Sequence, residues 1–200
     1  MKTFFIEDEI EAGVDEAGRG PLFGRVYAAA VILNPDMIYN YNLIKDSKKL
    51  SKNNLLISEG YVKSIAVDWS VGYSTEQRID EINILHATQE AMHKALDGLN
   101  IKPGFLLIDG NYFKPYKDIQ CNCVVGGDDT YFSIAAASIL AKTARDKYIQ
   151  ELCQENPELN EKYSIGTNKG YGASKHIKGI KKYGISEWHR KTFGICKQFS

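Results

Sequence analysis

The sequence predicts a single α/β domain over residues 1–200, built on a mixed sheet, with residues 156–200 as a basic, helical C-terminal extension. A length of 200 residues fits one domain. Short apolar segments of strand length alternate with two long segments of helical period, a pattern typical of a sheet covered by helices. Beyond residue 156 the chain is rich in glycine and lysine. No internal repeat divides it.

The first two strands are predicted over residues 12–15 and 26–33, which are short and mostly apolar. The loop between them, residues 18–24, contains three glycines and is short enough for a hairpin. A third strand is expected over residues 64–73, because apolar and polar side chains alternate there with the period of a half-buried strand.

The first long helix is predicted to begin with Ser74 as its N-cap, and Gln77 completes a capping box three positions later. Apolar residues continue at helical spacing as far as Leu99. A buried strand is expected over residues 105–108, because this segment is short, wholly apolar and followed by an aspartate and a glycine.

The last part of the predicted sheet is a strand over residues 121–125. A turn rich in glycine and aspartate connects it to the second long helix, residues 131–152, whose small alanines favour close packing on the sheet. One further helix is expected over residues 174–182.

The net charge of zero conceals an uneven distribution along the chain. Residues 1–140 carry 13 basic and 19 acidic side chains, whereas residues 141–200 carry 12 basic and 6 acidic side chains. The total alone gives no indication of a nucleic-acid partner. The basic excess of residues 141–200 nevertheless predicts a positive surface at one end of the molecule.

The sequence contains neither a membrane span nor a secretory signal. Its longest nearly apolar stretch, residues 26–33, is far shorter than the roughly 20 residues of a membrane helix. Residues 1–10 lack the basic start, the apolar run and the cleavage site of a secretory signal. We therefore expect a cytoplasmic protein with no membrane partner, and we expect a monomer.

Four acidic residues are the candidates for catalysis and for metal binding, because each stands at a strand edge or before a helix: Asp15, Glu16, Asp109 and Asp128. If they converge, their charges repel unless two divalent cations bind, and an oxygen-only ligand set favours Mg²⁺ or Mn²⁺ over zinc. Two such ions roughly 4 Å apart would support hydrolysis of a phosphodiester. The alternative is that each aspartate is an ordinary turn or cap residue. Adjacent residues of a strand also point to opposite faces, so Asp15 and Glu16 can share one site only if the strand ends or twists at Ala17 and Gly18.

The loop of Gly18, Arg19 and Gly20 is a candidate substrate-binding segment beside Asp15. Its glycines allow close approach of the backbone to a ligand, and Arg19 can bind a phosphate through two nitrogens. The alternative is a plain glycine turn.

Two further groups of residues are candidates for contact with a nucleic acid. Tyr171 could stack on a ribose or base while Lys169 binds a phosphate, although a tyrosine more often packs inside a protein. Ser138, Lys142 and Arg145 lie at helical spacing and could contact a phosphate backbone, although they could equally form a solvated polar face.

Six segments in chain order closely resemble ribonuclease HII, the bacterial and archaeal type 2 ribonuclease H. These segments are residues 12–21, 46–51, 79–88, 107–111, 133–146 and 189–194. The resemblance covers nearly the whole chain. Within the second segment, Lys48 is added to the candidate substrate-binding residues.

The resemblance implies an RNase H-like fold, a five-stranded mixed sheet flanked by helices. It implies endonucleolytic cleavage of the RNA strand in RNA–DNA hybrids and two-metal-ion catalysis. It also implies incision on the 5′ side of single ribonucleotides embedded in duplex DNA, leaving 3′-hydroxyl and 5′-phosphate ends, with a role in replication and repair.

The resemblance also assigns residues. Asp15, Glu16, Asp109 and Asp128 match the family's acidic metal-binding set, residues 18–20 its 2′-hydroxyl-reading motif, and Tyr171 its ribose-junction tyrosine. Asp128 is chosen over its neighbour Asp129 because it keeps the family's distance to residues 136–138. One departure is Gly126, where the family usually has lysine.

Two alternatives stay open beside this interpretation. One is a ribonuclease HIII-like enzyme, which cuts hybrids but handles single ribonucleotides poorly; the other is a non-catalytic module that binds hybrids. A contact between a sliding clamp and the C-terminal tail, residues 194–200, is also considered.

Overall fold

A five-stranded mixed sheet lies at the centre of the molecule, with the strand order β3-β2-β1-β4-β5. The structure is a computed structural model that describes residues 1–45, 47 and 51–200. The strands are β1 (Glu11–Ala17), β2 (Val26–Ile32), β3 (Asp68–Ser74), β4 (Phe105–Asp109) and β5 (Gln120–Val124). β1 and β2 form the predicted hairpin and β2 pairs with β3 antiparallel, whereas β1–β4 and β4–β5 are parallel pairs. The predicted mixed sheet is confirmed.

The register of the parallel pair β1–β4 determines where two acidic residues stand. Val14 pairs with Ile108, so the next residues, Asp15 and Asp109, stand beside each other as the two strands reach the same edge of the sheet. Carboxyl ends of neighbouring parallel strands are a common place for ligand sites.

Helices cover both faces of the sheet. They are α1 (Lys52–Ile65), α2 (Glu76–Asp97), α3 (Phe132–Glu155), α4 (Glu158–Tyr163), α5 (Ile165–Asn168) and α6 (Ser174–Tyr183), and short 3-10 turns occupy Gly127–Asp129 and Gly194–Gln198. Alternate residues of β2 pack on opposite sides: Ala28 and Ala30 belong to the core with α2, and Ala29 and Val31 to the core with α1 and α3. Among the described residues, no helix is long and apolar enough to cross a membrane.

Helix α3 lies unusually close to β1 because small residues line the contact. Ala135, Ala136 and Ala137 are fully buried. A Cβ built on Gly13 would stand 2.2 Å from the main-chain carbon of Ser133, so only glycine fits at this position. This contact brings the first turns of α3 to the edge of the sheet where Asp15 lies.

Two sequence predictions around β3 are corrected. Residues 64 and 65 belong to α1, a helix that the sequence analysis missed, and the strand begins at Asp68. Ser74 is the last residue of β3 and pairs with Val26, so it cannot cap the helix. The N-cap is Thr75, whose side chain accepts a hydrogen bond from the amide of Arg78 at 3.2 Å.

Helix α2 is not continuous as predicted. Asn83 has a left-handed backbone (φ 67°) inside it, a conformation that asparagine tolerates better than most residues. Its side-chain oxygen accepts hydrogen bonds from the amides of Leu85 (2.9 Å) and His86 (3.2 Å), so Asn83 begins a second helical section.

The C-terminal extension packs on the end of α3 through a cluster that includes Phe23, Ile149, Leu159, Ile165 and Ile180. The helix predicted over residues 174–182 corresponds to α6, whereas α4 and α5 were not predicted. Because Phe23 belongs to the glycine loop, residues 18–24, the cluster fixes the extension beside that loop.

Candidate active site

A cleft of about 220 Å³ opens at the carboxyl ends of β1 and β4. Three of the four predicted carboxylates and seven of the nine predicted substrate-binding residues line it, together with Ala17 and Ser47: Asp15, Glu16, Asp109, Gly18, Arg19, Gly20, Ser138, Lys142, Arg145 and Tyr171. The exceptions are Asp128, Lys169 and Lys48, and Lys48 lies outside the described residues.

Asp15 lies at the bottom of this cleft and is only 4% exposed. Its carboxylate accepts hydrogen bonds from the amide of Glu16, at 2.6 Å, and from the hydroxyl of Ser138. Burial, followed by repulsion from Glu16 and Asp109, raises the pKa of the Asp15 carboxyl well above its usual range. A negative charge here is therefore costly unless a cation shares the cleft.

Glu16 lines the same cleft as Asp15, although they are adjacent in β1. The pairing of β1 with β4 ends at Val14. Asp15 and Glu16 therefore lie beyond the last paired residue on the β4 side of β1. Glu16 Oε1 is 3.3 Å from the guanidinium of Arg19. The objection that adjacent strand residues face opposite sides does not hold at this strand end.

Asp109 and the turn that carries Asp128 are joined by a hydrogen bond. Asp109 Oδ1 accepts it from the amide of Gly127 at 2.8 Å. Gly126 has a left-handed backbone (φ 67°) that begins the 3-10 turn, and glycine adopts this conformation without strain. Asp128 follows two residues after Gly126 and is 6% exposed.

The carboxylates suit Mg²⁺ or Mn²⁺ chemically, since all their donors are oxygen and the buried charge of Asp15 needs an opposite charge. Within residues 1–45, 47 and 51–200, however, no group of three or more His, Cys, Asp or Glu side chains is arranged to hold a metal ion. Asp15, Glu16 and Asp109 line one cleft, and binding of metal ions by the four carboxylates stays a prediction.

Ser47 is a cleft residue that the sequence analysis did not single out. Its hydroxyl is 2.8 Å from that of Ser138, which in turn bonds to Asp15. Its position in one of the segments that resemble ribonuclease HII, residues 46–51, could have identified it as a site residue.

Arg190 organises the glycine loop and was also missed as a site residue. Its guanidinium is fully buried and donates hydrogen bonds to the main-chain carbonyls of residues 18, 19, 21 and 24, at 2.6–2.9 Å. Burial, with repulsion from Arg145, lowers the pKa of Arg190 to about 9, so it is still protonated at neutral pH. Its position in the segment of residues 189–194, which resembles ribonuclease HII, could have identified it as a site residue.

Arg145 also binds main chain, whereas the sequence predicted a phosphate contact. Its guanidinium donates to the carbonyls of Arg25, Phe23 and Lys169, and the residue is 1% exposed. A Cβ on Gly18 would stand 2.2 Å from Arg145 Nε, and Gly18 has φ +96°, so this position requires glycine. Contact of Arg145 with phosphate stays a prediction.

Tyr171 faces the glycine loop across the cleft. Its residue is 49% exposed, and a Cβ built on Gly20 would lie 3.7 Å from Tyr171 Cε1. Lys142 lines the cleft nearby, with its Nζ 2.7 Å from Asp146 Oδ1. The cleft thus combines carboxylates, an open glycine loop, a cation and an exposed aromatic ring.

Replacing Asp15 by asparagine tests whether its buried charge strains the protein. In EDTA at pH 7, Asp15→Asn is expected to raise the melting temperature by a few degrees, since about 1 kcal/mol shifts it by 2–4 °C in a chain of this size. Because the pKa of Asp15 is raised, the folded protein binds this proton more tightly than the unfolded chain. The difference between variant and wild type should therefore shrink as the pH falls and Asp15 becomes protonated.

The control for this measurement is Asp118→Asn, the same change at an exposed residue before β5. Mg²⁺ is expected to stabilise the wild type and the control more than Asp15→Asn. Equal melting temperatures of all three proteins in EDTA and in Mg²⁺ would contradict the assignment of a strained metal-binding carboxylate.

Comparison with known proteins agrees with this fold. The family model "Ribonuclease HII" matches residues 12–196. Ribonuclease HII of Phocaeicola vulgatus is 50% identical over 195 residues, which cover 98% of this chain and 94% of that protein. The crystal structure of ribonuclease H2 from Pyrococcus horikoshii OT3 superposes with a TM-score of 0.75 at 27% identity, covering 94% of this chain and 96% of the other.

Two more distant structures share the fold. One is the PCNA:RNase HII complex from Archaeoglobus fulgidus, with a TM-score of 0.73, 22% identity, and 93% and 96% of the two chains covered. The other is Bst-RNase HIII in complex with Mn²⁺, with a TM-score of 0.69, 16% identity, and 95% and 68% covered.

The mixed sheet, with acidic residues where β1 and β4 end in one cleft, defines a ribonuclease H, an endoribonuclease that binds and cleaves RNA–DNA hybrids. Enzymes of RNase H-like fold generally use divalent metal ions. The chain belongs to the ribonuclease HII family.

Proposed function

We propose that this enzyme also incises duplex DNA on the 5′ side of a single embedded ribonucleotide, leaving 3′-hydroxyl and 5′-phosphate ends, and so acts in ribonucleotide removal during replication and repair. The observation that supports this most is the position of residues 18–20 opposite Tyr171, next to Asp15 and Glu16. The 2′-hydroxyl is the group that distinguishes RNA from DNA at one nucleotide. A narrow glycine loop beside the carboxylates can meet that hydroxyl through its main chain.

The residues proposed to hold two Mg²⁺ or Mn²⁺ ions are Asp15, Glu16, Asp109 and Asp128. Bound divalent ions would supply an activated water and would stabilise the leaving 3′-oxygen. Ser138 holds the Asp15 carboxylate, and the amide of Gly127 holds that of Asp109. The Mn²⁺ complex of the related ribonuclease HIII supports Mn²⁺ as one ion to test.

The protein groups mainly position the substrate. Arg19 and Lys142 line the cleft with positive charge and can bind the phosphates that flank the cut. Tyr171 offers a half-exposed ring on which a ribose or base can stack. Lys169 and Lys48 are proposed phosphate contacts.

Four reactions on three duplexes test the proposed function. The substrates in Mg²⁺ are a uniform RNA–DNA hybrid, DNA with one ribonucleotide and the same DNA without it, and the fourth reaction is the single-ribonucleotide duplex in EDTA. We expect Mg²⁺-dependent cleavage of the first two only. Cleavage of the hybrid alone would favour a ribonuclease HIII-like enzyme. Binding without cleavage would favour a hybrid-binding module, and cleavage of plain DNA would reject reading of the 2′-hydroxyl.

Tyr171→Phe is expected to reduce cleavage of the single-ribonucleotide duplex less than Tyr171→Ala does. Stacking on an aromatic ring is worth about 1–3 kcal/mol, so the alanine variant should lose about 10–100-fold in kcat/KM. The control is Tyr183→Ala, which removes a similarly exposed tyrosine (48%) from the end of α6. Equal losses for the two Tyr171 variants would assign the hydroxyl, rather than the ring, to substrate binding.

A contact with a sliding clamp is proposed for residues 194–200. The Archaeoglobus fulgidus relative was solved as a PCNA complex. In this chain Cys196 anchors the last turn in the core, whereas Phe199 is 38% exposed and available to a partner. Loss of clamp binding in Phe199→Ala, with unchanged cleavage, would support this contact; unchanged binding would reject it.

A further inference from the structure

The segment of residues 188–190 pairs with the glycine loop as well as bonding to it through Arg190. The amide of Arg190 donates to the carbonyl of Leu22, and the amide of Gly24 donates to the carbonyl of Trp188, both at 2.8 Å. Four of the five guanidinium N–H groups of Arg190 are used by carbonyls of the loop. Almost every donor of Arg190 is therefore directed at the loop that lines the cleft.

The neighbouring residue, His189, connects to Tyr171 through His176. The amide of Ser186 donates to His189 Nδ1 at 2.9 Å, so the proton of this ring is on Nε2. His189 Nε2 is 3.0 Å from His176 Nε2 and donates to it. His176 Nδ1 then donates to the carbonyl of Tyr171 at 2.8 Å.

This chain of hydrogen bonds exists only while both histidines are neutral. His176 is fully buried and His189 is 1% exposed. Burial lowers the pKa of both rings, to about 3 for His189. The rings also contact Phe23 and Tyr163, which fix their planes. The link to Tyr171 is therefore intact at neutral pH.

Helix α2 anchors the same segment from the other side. The carboxylate of Asp80 accepts hydrogen bonds from the amides of Lys191 and Thr192, both at 2.9 Å. Residues 188–192 thus connect α2 to the glycine loop and, through His176, to Tyr171. The glycine loop and Tyr171 are the two walls of the cleft.

We propose that His189 and Arg190, with His176, form one positioning unit that sets the gap between Gly20 and Tyr171 and thereby selects a single ribonucleotide. This inference rests on the proposed function. None of the three side chains can touch the substrate, because all are buried. They act through main-chain carbonyls of the residues that do line the cleft.

The positioning unit matters more for one substrate than for the other. In a uniform hybrid every nucleotide of the RNA strand carries a ribose. An enzyme with a wider gap between Gly20 and Tyr171 can therefore still cut at one of several positions. In DNA with one ribonucleotide only one register is productive. A small misplacement should therefore reduce cleavage of the second substrate far more than cleavage of the first.

The test compares kcat and KM on both substrates for three variants. Arg190→Lys keeps a positive charge but cannot span four carbonyls. His176→Gln loses the donor at Nδ1, whereas His176→Asn keeps an amide nitrogen near that position and serves as the matched control. For Arg190→Lys and His176→Gln we expect at least a tenfold loss in kcat/KM on the single-ribonucleotide duplex and less than a threefold loss on the hybrid. His176→Asn should lose less than His176→Gln, because it can keep the bond to the Tyr171 carbonyl and loses only the bond to His189.

Melting curves of each variant separate positioning from folding. If Arg190→Lys does not fold, the comparison of His176→Gln with His176→Asn decides. An unchanged ratio between the two substrates in the folded variants, or equal losses on both, would overturn the positioning role while leaving the proposed function intact. Failure of the wild type to cut the single-ribonucleotide duplex would instead reject the proposed function.

Discussion

Asp109→Asn is expected to reduce cleavage of an RNA–DNA hybrid in Mg²⁺ by at least about 10³-fold, because ion-based stabilisation of the transition state is worth several kcal/mol. The substitution removes a charge from the cleft but keeps an oxygen that can accept the hydrogen bond from Gly127. The fold should therefore survive, and single-turnover rates with a melting curve measure both effects.

Asp128→Asn should have a similarly large effect, and Asp129→Asn is its matched control. The two aspartates are neighbours on the same turn, but Asp128 is buried and Asp129 is exposed. A large loss for Asp129→Asn with little loss for Asp128→Asn would move the assignment by one residue. Near wild-type cleavage by Asp109→Asn would reject the metal-binding role of this cleft.

Gly13→Ala is expected to cause the largest loss of stability among single-methyl changes near the site. The added Cβ would stand 2.2 Å from a main-chain carbon of α3 and 2.5 Å from the amide nitrogen of Ile134. Neither the backbone of β1 nor that of α3 can shift easily to make room for the added methyl group. Overpacking typically costs about 1–3 kcal/mol, and a loss at the upper end of this range is expected here, which lowers the melting temperature by roughly 6–12 °C.

The control is Gly60→Ala in α1, where no atom lies within 4 Å of the added Cβ. This helical position is exposed, so alanine should be neutral or stabilising by up to about 1 kcal/mol. Because Gly13 is two residues before Asp15, the loss at Gly13 should be accompanied by loss of cleavage. An unchanged melting temperature for Gly13→Ala would contradict the close packing of α3 on β1.

The sequence predicted the strands and the two long helices where side-chain period and burial agree. Helix α1 was missed because the spacing of its apolar residues does not match which residues are buried. Leu56 and Ile57 are exposed, whereas Ser58 and Glu59 are buried, and Glu59 is held by Lys63 and Lys147. The break in α2 was missed because Asn83 interrupts the helix without a proline or glycine to mark it.

For the site, the sequence predicted residues that stand on strand ends, in glycine loops or on one helix face. It did not predict three buried side chains behind them, those of Arg190, His176 and His189. Arg190 bonds to a carbonyl 172 positions away, and such contacts leave no local pattern. Arg145 shows the converse, since a basic residue with helical spacing proved to hold main chain.

The most direct test of the account changes one substituent of the substrate. Three duplexes are compared in Mg²⁺ that differ at a single nucleotide, which carries a 2′-hydroxyl, a 2′-fluorine or a 2′-hydrogen. If residues 18–20 read the hydroxyl beside the carboxylates, the enzyme cuts only the first duplex, on the 5′ side of that nucleotide. Cleavage of all three at similar rates, or a cut mapped elsewhere, would contradict the account.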